Sequence, residues 1–220
     1  MPRGGLVVSC QARPDNPLHG PAFMAAMARA AAEAGAVAIR ANGAADIAAI
    51  RAAVGLPIIG IAKRATPGFD VEITPALADA AAILSAGATA IALDATGRRR
   101  DGEPLPALIA AIRARWSSPI MADVATPAEG ERAAALGCDL VATTLSGYTA
   151  DSPRIAGPDF DLVARLAARV DVPIVAEGRF TTPAEVARAL AVGAHAVVIG
   201  TAITNPREIA RRFVAAGRSA

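Results

Sequence analysis

Short apolar runs alternate with alanine-rich stretches along the whole chain. Four of the runs follow a glycine, and these glycines are separated by 52, 50 and 56 residues, in segments 35–39, 87–91, 137–141 and 193–197. Three more runs include a proline and fall between them, in segments 56–59, 118–121 and 172–175. A glycine commonly ends a helix, and short apolar runs are typical of buried strands. With an opening run at 6–10, the pattern predicts eight strands.

The alanine-rich stretches predict helices, because alanine has the highest helix propensity. They include segments 22–34, 77–85, 128–136 and 184–192. Three helix starts repeat one motif, in which Thr126, Thr182 or Asn205 is followed by Pro and, three residues after the cap, by Glu. This motif places an N-cap oxygen, a first-turn proline and a capping-box carboxylate in order. Buried strands that each precede a helix predict a parallel sheet covered by helices.

Eight βα units in 220 residues favour an α/β fold of the (β/α)8 TIM-barrel type, with one domain spanning 1–220. An open doubly wound sheet is the alternative, but no G-x-G-x-x-G motif follows the first strand. Segments 64–75 and 97–106 are the two long βα loops in this prediction.

Composition then narrows the classes of function. The 54% share of hydrophobic residues excludes a disordered chain, and 22 basic against 20 acidic residues with 3% aromatics give no nucleic-acid pattern. Cys10 and Cys138 are too few for a disulfide framework, and segment 1–5 lacks a signal-peptide core, which favours the cytoplasm. The long uncharged run 190–206 is interrupted by glycines and polar residues, so no membrane span is expected.

Polar residues follow every apolar run. In a TIM barrel the catalytic groups lie at the carboxyl ends of the strands. The residues at these positions are Gln11, Arg40, Asn42, Lys63, Asp94, Thr96, Asp123, Thr143, Thr144, Glu177, Gly200 and Thr201.

Lys63 is the sharpest chemical signal, because it is the only lysine beside 21 arginines. A guanidinium stays charged at any working pH, whereas an ammonium can lose its proton. Lys63 is therefore interpreted as a titrating group, and the alternative is a solvated loop lysine.

The carboxylates have two interpretations each. Glu177 is either functional or part of a structural ion pair with Arg40 or Lys63. Asp94 and Asp123 could each orient Lys63 or bind a substrate hydroxyl, or they could cap the helices that follow them.

Glycines end the last two strands, and their small size lets backbone N–H groups approach a phosphate. Gly178 and Gly200 are these residues, Arg179 and Thr201 could add side-chain donors, and the alternative is two ordinary turn glycines. Tyr148 either closes over the site or packs.

Two further features predict less. His19 and His195 lack ligand spacing, so no metal is expected. The run 98–100 of three arginines is interpreted as solvated, or as sending one arginine to the mouth.

Taken in order, the strand ends resemble the N-acetylmannosamine-6-phosphate 2-epimerase family of sialic acid catabolism. The resemblance spans the chain and is carried by SCQA at 9–12, IRANG at 39–43, IGIAKR at 59–64, ITP at 73–75, ALDAT at 92–96, MAD at 121–123, TTLSGYT at 143–149, AEGR at 176–179 and GTAIT at 200–204.

The resemblance implies a TIM barrel that interconverts N-acetylmannosamine 6-phosphate and N-acetylglucosamine 6-phosphate without an added cofactor. It implies that Lys63 and Glu177 are catalytic. The substrate-binding residues that it implies are Gln11, Arg40 and Asp123. Three further substrate-binding residues are predicted from their positions after the strands: Asp94, Thr144 and Tyr148. The phosphate-binding residues are Gly178, Arg179, Gly200 and Thr201.

Four positions depart from the family pattern. Ala65 and Thr66 stand where the family usually has Asp-Tyr, Asp101 replaces the proline of an R-x-R-P loop, and Asn205 replaces an arginine. The last change removes a positive charge near the predicted phosphate loops, which predicts weaker phosphate binding.

Epimerisation at C2 requires that a proton leave the carbon beside the open-chain C1 aldehyde and return to the opposite face. Neutral Lys63 is expected to take this proton, and Glu177 or Lys63 itself to assist its return, while Arg40 or another donor stabilises the enolate oxygen. Burial lowers a lysine pKa and a nearby carboxylate raises it, so the sequence leaves the balance open.

Three other functions fit the same residues: a Schiff-base lysine aldolase, another phosphosugar isomerase, and a non-catalytic phosphosugar-binding barrel. The expected partner is a small phosphosugar, with neither nucleic acid nor membrane. The sequence does not reveal the oligomeric state, and a homodimer is compatible with it.

Overall fold

Eight parallel strands close into a barrel in the computed structural model, which describes residues 2–218. Each strand pairs with its neighbours in chain order, and β1 also pairs with β8. This is the predicted TIM barrel. The strands are β1 (Gly5–Cys10), β2 (Ala38–Asn42), β3 (Ile58–Ile61), β4 (Ala90–Asp94), β5 (Ile120–Asp123), β6 (Leu140–Ala142), β7 (Ile174–Glu177) and β8 (Ala196–Ile199).

Helices follow each strand on the outside of the barrel. They are α1 (Pro21–Glu33), α2 (Ala44–Ala53), α3 (Leu77–Ser85), α4 (Leu105–Arg113), α5 (Pro127–Ala135), α6 (Phe160–Ala167), α7 (Pro183–Ala191), the four-residue α8 (Thr201–Thr204) and α9 (Pro206–Arg218). The predicted capping boxes are present at Thr126 and Thr182, whose side chains accept from Glu129 N and Glu185 N. Asn205 Oδ1 likewise accepts from Glu208 N at 3.3 Å.

Alternate residues of the strands face two separate apolar layers. Val7, Ile59, Met121 and Val175 pack inside the barrel, whereas residues of the opposite parity pack against the helices. Successive strand residues point to opposite faces, so the inward parity continues to the last residue of each strand. This parity carries the polar residues at the strand ends into the mouth of the barrel.

The loop prediction was partly wrong. Loop 64–75 is present, and it folds back so that Lys63 forms an antiparallel bridge with Ile73. The second loop lies at 95–104, two residues before the predicted 97–106, because β4 ends at Asp94 and α4 begins at Leu105. The longest βα connection, 143–159, was missed, although its Ser, Gly, Thr and Pro residues were a signal for a loop.

No helix within residues 2–218 is both long and apolar enough to cross a bilayer.

Gly60 allows the helices to approach β3 directly below Lys63. A Cβ at this position would lie 2.7 Å from Ala88 Cβ and 3.1 Å from Ile47 Cδ1. Gly60→Ala should therefore lower the free energy of unfolding by about 1–3 kcal/mol, since overpacking forces neighbours apart. A chain of this size loses about 2–4 °C in Tm per kcal/mol, which thermal unfolding by circular dichroism will measure.

Gly55→Ala is the matched control, because nothing lies within 4 Å of a Cβ there. Its Tm should stay level or rise slightly. Equal Tm values for the two variants would refute the packing argument.

Candidate active site

A buried arginine organises the mouth of the barrel. Arg40 is 1% exposed, and its guanidinium forms ion pairs with Asp123 and Glu177, from β5 and β7. Arg40 Nη1 also donates to Asp123 Oδ1 at 3.1 Å. Burial disfavours the charged form, but the two carboxylates outweigh it and raise the pKa of Arg40 above its usual value. Strands β2, β5 and β7 are thus joined across the barrel by one permanent charge.

Thr144 lies at the centre of these charges. Its Oγ1 is 2.7 Å from Asp123 Oδ1 and 3.2 Å from Glu177 Oε2. Arg40 Nη1 donates to Thr144 Oγ1 at 3.4 Å. A hydroxyl carries one proton, so it donates to one carboxylate at a time. Thr144 therefore orients the two carboxylates, and its role as a substrate ligand stays a prediction.

Glu177 combines burial with an opening to the mouth. Its side chain is 14% exposed, and Oε1 accepts no hydrogen bond from the described residues. Burial raises the pKa of Glu177, while Arg40 and the Thr144 hydroxyl oppose the rise. The structural interpretation of Glu177 is correct for its pair with Arg40. The carboxyl group keeps one oxygen free for a ligand.

Lys63 shares this mouth without forming an ion pair to any described residue. Its backbone N–H donates to Asn42 Oδ1 at 2.8 Å, and its side chain is exposed. Loss of solvation lowers the pKa of Lys63, with help from the charges of Arg40 and Arg13, whereas Glu177 and Asp123 act in the opposite direction. Desolvation therefore decides the balance that the sequence left open. The side chain as a whole is exposed, and its ammonium group lies within the electric field of Arg40, Glu177 and Asp123.

Asp94 is committed to its own loop. It is fully buried, accepts from Thr96 N at 2.9 Å and Thr96 Oγ1 at 2.7 Å, and forms an ion pair with Arg98. Arg100 donates to the backbone oxygen of Asp94. The helix-cap alternative is wrong for Asp94 and for Asp123, because α4 is preceded by Pro104 and α5 by Thr126.

The interpretation of the arginine run 98–100 as solvated was wrong, because its side chains have partners in the protein. Both Arg98 and Arg100 bind Asp94, and Arg99 lies over the Phe69 ring at 5.5 Å. The i, i+4 spacing of Asp94 and Arg98 was the signal available in the sequence.

Backbone amides form a cradle at the ends of β7 and β8. Among the described residues, the N–H groups of Gly178, Arg179, Gly200 and Thr201 have no hydrogen-bond acceptor. Gly178 has φ +118°, a conformation that favours glycine. Gly200 approaches β1 closely, since a Cβ there would lie 3.4 Å from Ser9 Cβ. Four uncovered amides can hold an anion.

Arg179 is used by the protein itself. Its guanidinium donates to Ser146 O at 2.6 Å and to Gly157 O at 2.8 Å, and it stacks on the Tyr148 ring at 5.3 Å. Arg179 therefore fastens the long β6–α6 loop over the site. Tyr148 remains 60% exposed, so it does not pack into the core, and its role as a substrate ligand stays a prediction.

The remaining predicted residues have local partners. Gln11 Nε2 donates to Ser9 Oγ at 2.7 Å. Thr66 accepts from Arg64 Nη1 at 2.7 Å, and Asp101 forms an ion pair with the same arginine. Asn205 accepts from Asn16 Nδ2 at 3.3 Å.

Thiolate chemistry would use the cysteines, and a metal would use clustered histidine, cysteine and carboxylate side chains. No three His, Cys, Asp or Glu side chains in this part of the chain converge as metal ligands would. Burial raises the pKa of both Cys10 and Cys138 to about 12, so neither forms a thiolate near neutrality.

Comparisons with known proteins agree with this geometry. A family model described as "NanE: Putative N-acetylmannosamine-6-phosphate epimerase" matches residues 24–219. The chain belongs to this family. The resemblance noted in the sequence is thereby confirmed.

Several relatives match along nearly the whole chain. A protein named "Putative N-acetylmannosamine-6-phosphate 2-epimerase" from Caldanaerobacter subterraneus subsp. tengcongensis is 50% identical, covering 96% of this chain and 90% of its own. A protein of the same name from Enterobacter sp. (strain 638) is 50% identical, covering 97% and 93%.

Solved structures support the fold. The N-acetylmannosamine-6-phosphate 2-epimerase from Clostridium perfringens superposes with a TM-score of 0.93 at 45% identity, over 96% of this chain and 93% of that one. Thiamine phosphate pyrophosphorylase from Pyrococcus furiosus shares the fold alone. It superposes with a TM-score of 0.60 at 17% identity, over 94% of this chain and 90% of that one.

The amine of Lys63 can be titrated directly, because no other lysine competes for the label. Reductive methylation with ¹³C-formaldehyde should give one lysine signal that is absent in Lys63→Arg. Its NMR titration midpoint should lie below the ordinary lysine value of 10.5, since desolvation disfavours the ammonium. Glu177→Gln should lower it further by removing a carboxylate that favours the charge. A midpoint at or above the ordinary value would contradict the desolvation argument.

Proposed function

We propose that this protein is an isomerase that interconverts N-acetylmannosamine 6-phosphate and N-acetylglucosamine 6-phosphate by moving the proton on C2. One observation carries the proposal: an amine with a lowered pKa, Lys63, shares the barrel mouth with Glu177, a carboxyl group whose pKa is raised. These opposite shifts bring both groups closer to neutral pH, where proton transfer in either direction is easiest.

The reaction begins on the open-chain sugar, whose C1 aldehyde makes the C2 proton acidic. Neutral Lys63 takes this proton and becomes an ammonium, while the C2–H electron pair moves toward C1 and the carbonyl oxygen becomes an enolate oxygen. C2 is now planar. Return of a proton to the opposite face restores the aldehyde and gives the other epimer.

Glu177 is suited to assist the proton's return. Its Oε1 is free of protein donors, and its other oxygen is held by Arg40 and Thr144. Arg40 forms ion pairs with Asp123 and Glu177, so it positions these carboxylates. Gln11 keeps a second amide hydrogen beyond its bond to Ser9, which is available for the enolate oxygen.

The phosphate binds at the four uncovered amides of Gly178, Arg179, Gly200 and Thr201. This contact is remote from C2, so its binding energy orients the sugar without changing the reacting atoms. Because these substrates are intracellular metabolites and both cysteines are free thiols, we place the protein in the cytoplasm.

C2 deuterium uptake from heavy water tests the role of Lys63. Lys63→Arg keeps the positive charge but cannot shed a proton, so exchange into N-acetylmannosamine 6-phosphate should fall by about 100-fold or more. Proton NMR of the C2 position measures the rate, and borohydride treatment should trap no substrate on the wild-type enzyme.

Arg115→Lys is the control, since it exchanges the same two residue types after the carboxyl end of α4, at the opposite face of the barrel. It should exchange deuterium at the wild-type rate. Undiminished exchange in Lys63→Arg would remove Lys63 from the role of base, and borohydride trapping on Lys63 would favour the Schiff-base alternative.

We further propose a homodimer that uses α9. This helix buries none of its described side chains, and Phe213 and Val214 are 76% and 53% exposed. An exposed apolar helix face is typical of an interaction site, and a two-fold dimer covers the same patch on both copies.

Analytical ultracentrifugation should give twice the chain mass of 22.1 kDa for the wild-type protein and the single mass for Phe213→Asp, because a buried carboxylate at the interface is costly. Phe23→Asp, at an exposed aromatic on α1, is the control and should remain a dimer. A Phe213→Asp protein that stays dimeric would exclude α9 as the interface.

A further inference from the structure

The β1–α1 loop, residues 11–20, brings an uncommitted cation to the mouth. Arg13 is exposed, and its guanidinium forms no hydrogen bond or ion pair with the described residues. The loop begins where β1 ends at Cys10, so it leaves the barrel at the carboxyl ends of the strands, and the charge of Arg13 helps to lower the pKa of Lys63.

The loop that carries Arg13 is anchored at the junction of α8 and α9. Arg207 donates to Asp15 O at 2.8 Å and to Asp15 Oδ2 at 3.0 Å. Asn16 is 7% exposed and donates to Asn205 Oδ1 at 3.3 Å. Two consecutive residues of the loop are therefore tied to the segment that follows the amide cradle.

The anchored loop lies beside the cradle itself. Strand β1 pairs with β8, and Thr204 Oγ1 donates to Ser9 O at 2.8 Å. Ser9 also faces Gly200, where a Cβ would lie 3.4 Å from Ser9 Cβ. Arg13 therefore lies in the segment between Ser9, which borders the cradle, and Asp15, which is tied to Arg207.

The amides of the cradle do not by themselves balance the charge of a phosphate monoester. A phosphate monoester carries close to two negative charges at neutral pH, and backbone amides supply only partial ones. The Arg179 guanidinium already donates to the backbone oxygens of Ser146 and Gly157, and the charge of Arg40 is neutralised by two carboxylates. Asn205, which stands where the family pattern has an arginine, carries no charge and binds Asn16 of the loop.

We propose that Arg13 binds the substrate's phosphate and sets the preference of this enzyme for phosphorylated sugars. The inference rests on the proposed function. It assigns to the β1–α1 loop the positive charge that the α8–α9 junction lacks.

The test compares Arg13→Gln, Arg13→Lys and the control Arg115→Gln, which removes one positive charge at the far face of the barrel. The main readout is the inhibition constant of inorganic phosphate against epimerisation, because it does not depend on the protonation of Lys63. Hydrogen bonds to charged groups are worth enough for a change of about 10- to 100-fold. Arg13→Gln should weaken phosphate inhibition by this factor and raise the KM for N-acetylmannosamine 6-phosphate in parallel.

Arg13→Lys should recover most of the loss, and Arg115→Gln should match wild type. Any turnover of unphosphorylated N-acetylmannosamine should keep its KM in Arg13→Gln. A phosphate inhibition constant within twofold of wild type, or an equal loss in Arg115→Gln, would overturn the inference.

The two proposals can fail separately. If the wild-type enzyme does not interconvert the two phosphosugars, the proposed function fails. The role of Arg13 is then decided by calorimetric binding of N-acetylglucosamine 6-phosphate to wild type and Arg13→Gln, where equal affinities overturn it.

Discussion

A guanidinium buried inside the barrel is the constraint on which the site depends. Arg40 cannot lose its charge, so it must keep Asp123 and Glu177 as partners. Removing one partner of such a buried pair costs about 3–5 kcal/mol. The two ion pairs therefore favour the relative positions of β2, β5 and β7 in which these three side chains meet. Thr144 then orients both carboxylates. The carboxylates of the candidate site are thus oriented by the same interactions that stabilise the barrel mouth.

This arrangement separates two kinds of positive charge. The arginines hold parts of the protein together: Arg98 binds Asp94, Arg179 holds the β6–α6 loop, and Arg207 holds the β1–α1 loop. Lys63 holds nothing with its side chain among the described residues. Desolvation can therefore lower its pKa without a structural ion pair to resist the change. A proton-transfer role is compatible with such an uncommitted amine.

Long loops decide how the substrate would be enclosed, and each is fixed by contacts between distant segments. Arg179 has φ +60° and reaches back to Ser146, while Asn205 reaches Asn16 across 189 residues. Asn205 carries no charge that could bind phosphate, but it accepts a hydrogen bond from Asn16 and so holds the loop that contains Arg13. In the proposed phosphate site, the cation comes from the loop after β1 and the amides come from the ends of β7 and β8.

The sequence by itself determined the barrel, because eight apolar runs, their glycine and proline boundaries and the Thr-Pro-x-Glu caps are local signals with local causes. Their positions directly after the apolar runs also predicted that Arg40, Lys63 and Glu177 lie at the carboxyl ends of the strands. The tertiary structure decided which charges pair, because Arg40, Asp123 and Glu177 lie far apart in the chain and meet only when the sheet closes. It also decided the direction of the Lys63 pKa, since desolvation depends on every segment around the amine, and the path of loop 143–159, which is held by contacts that no local pattern encodes.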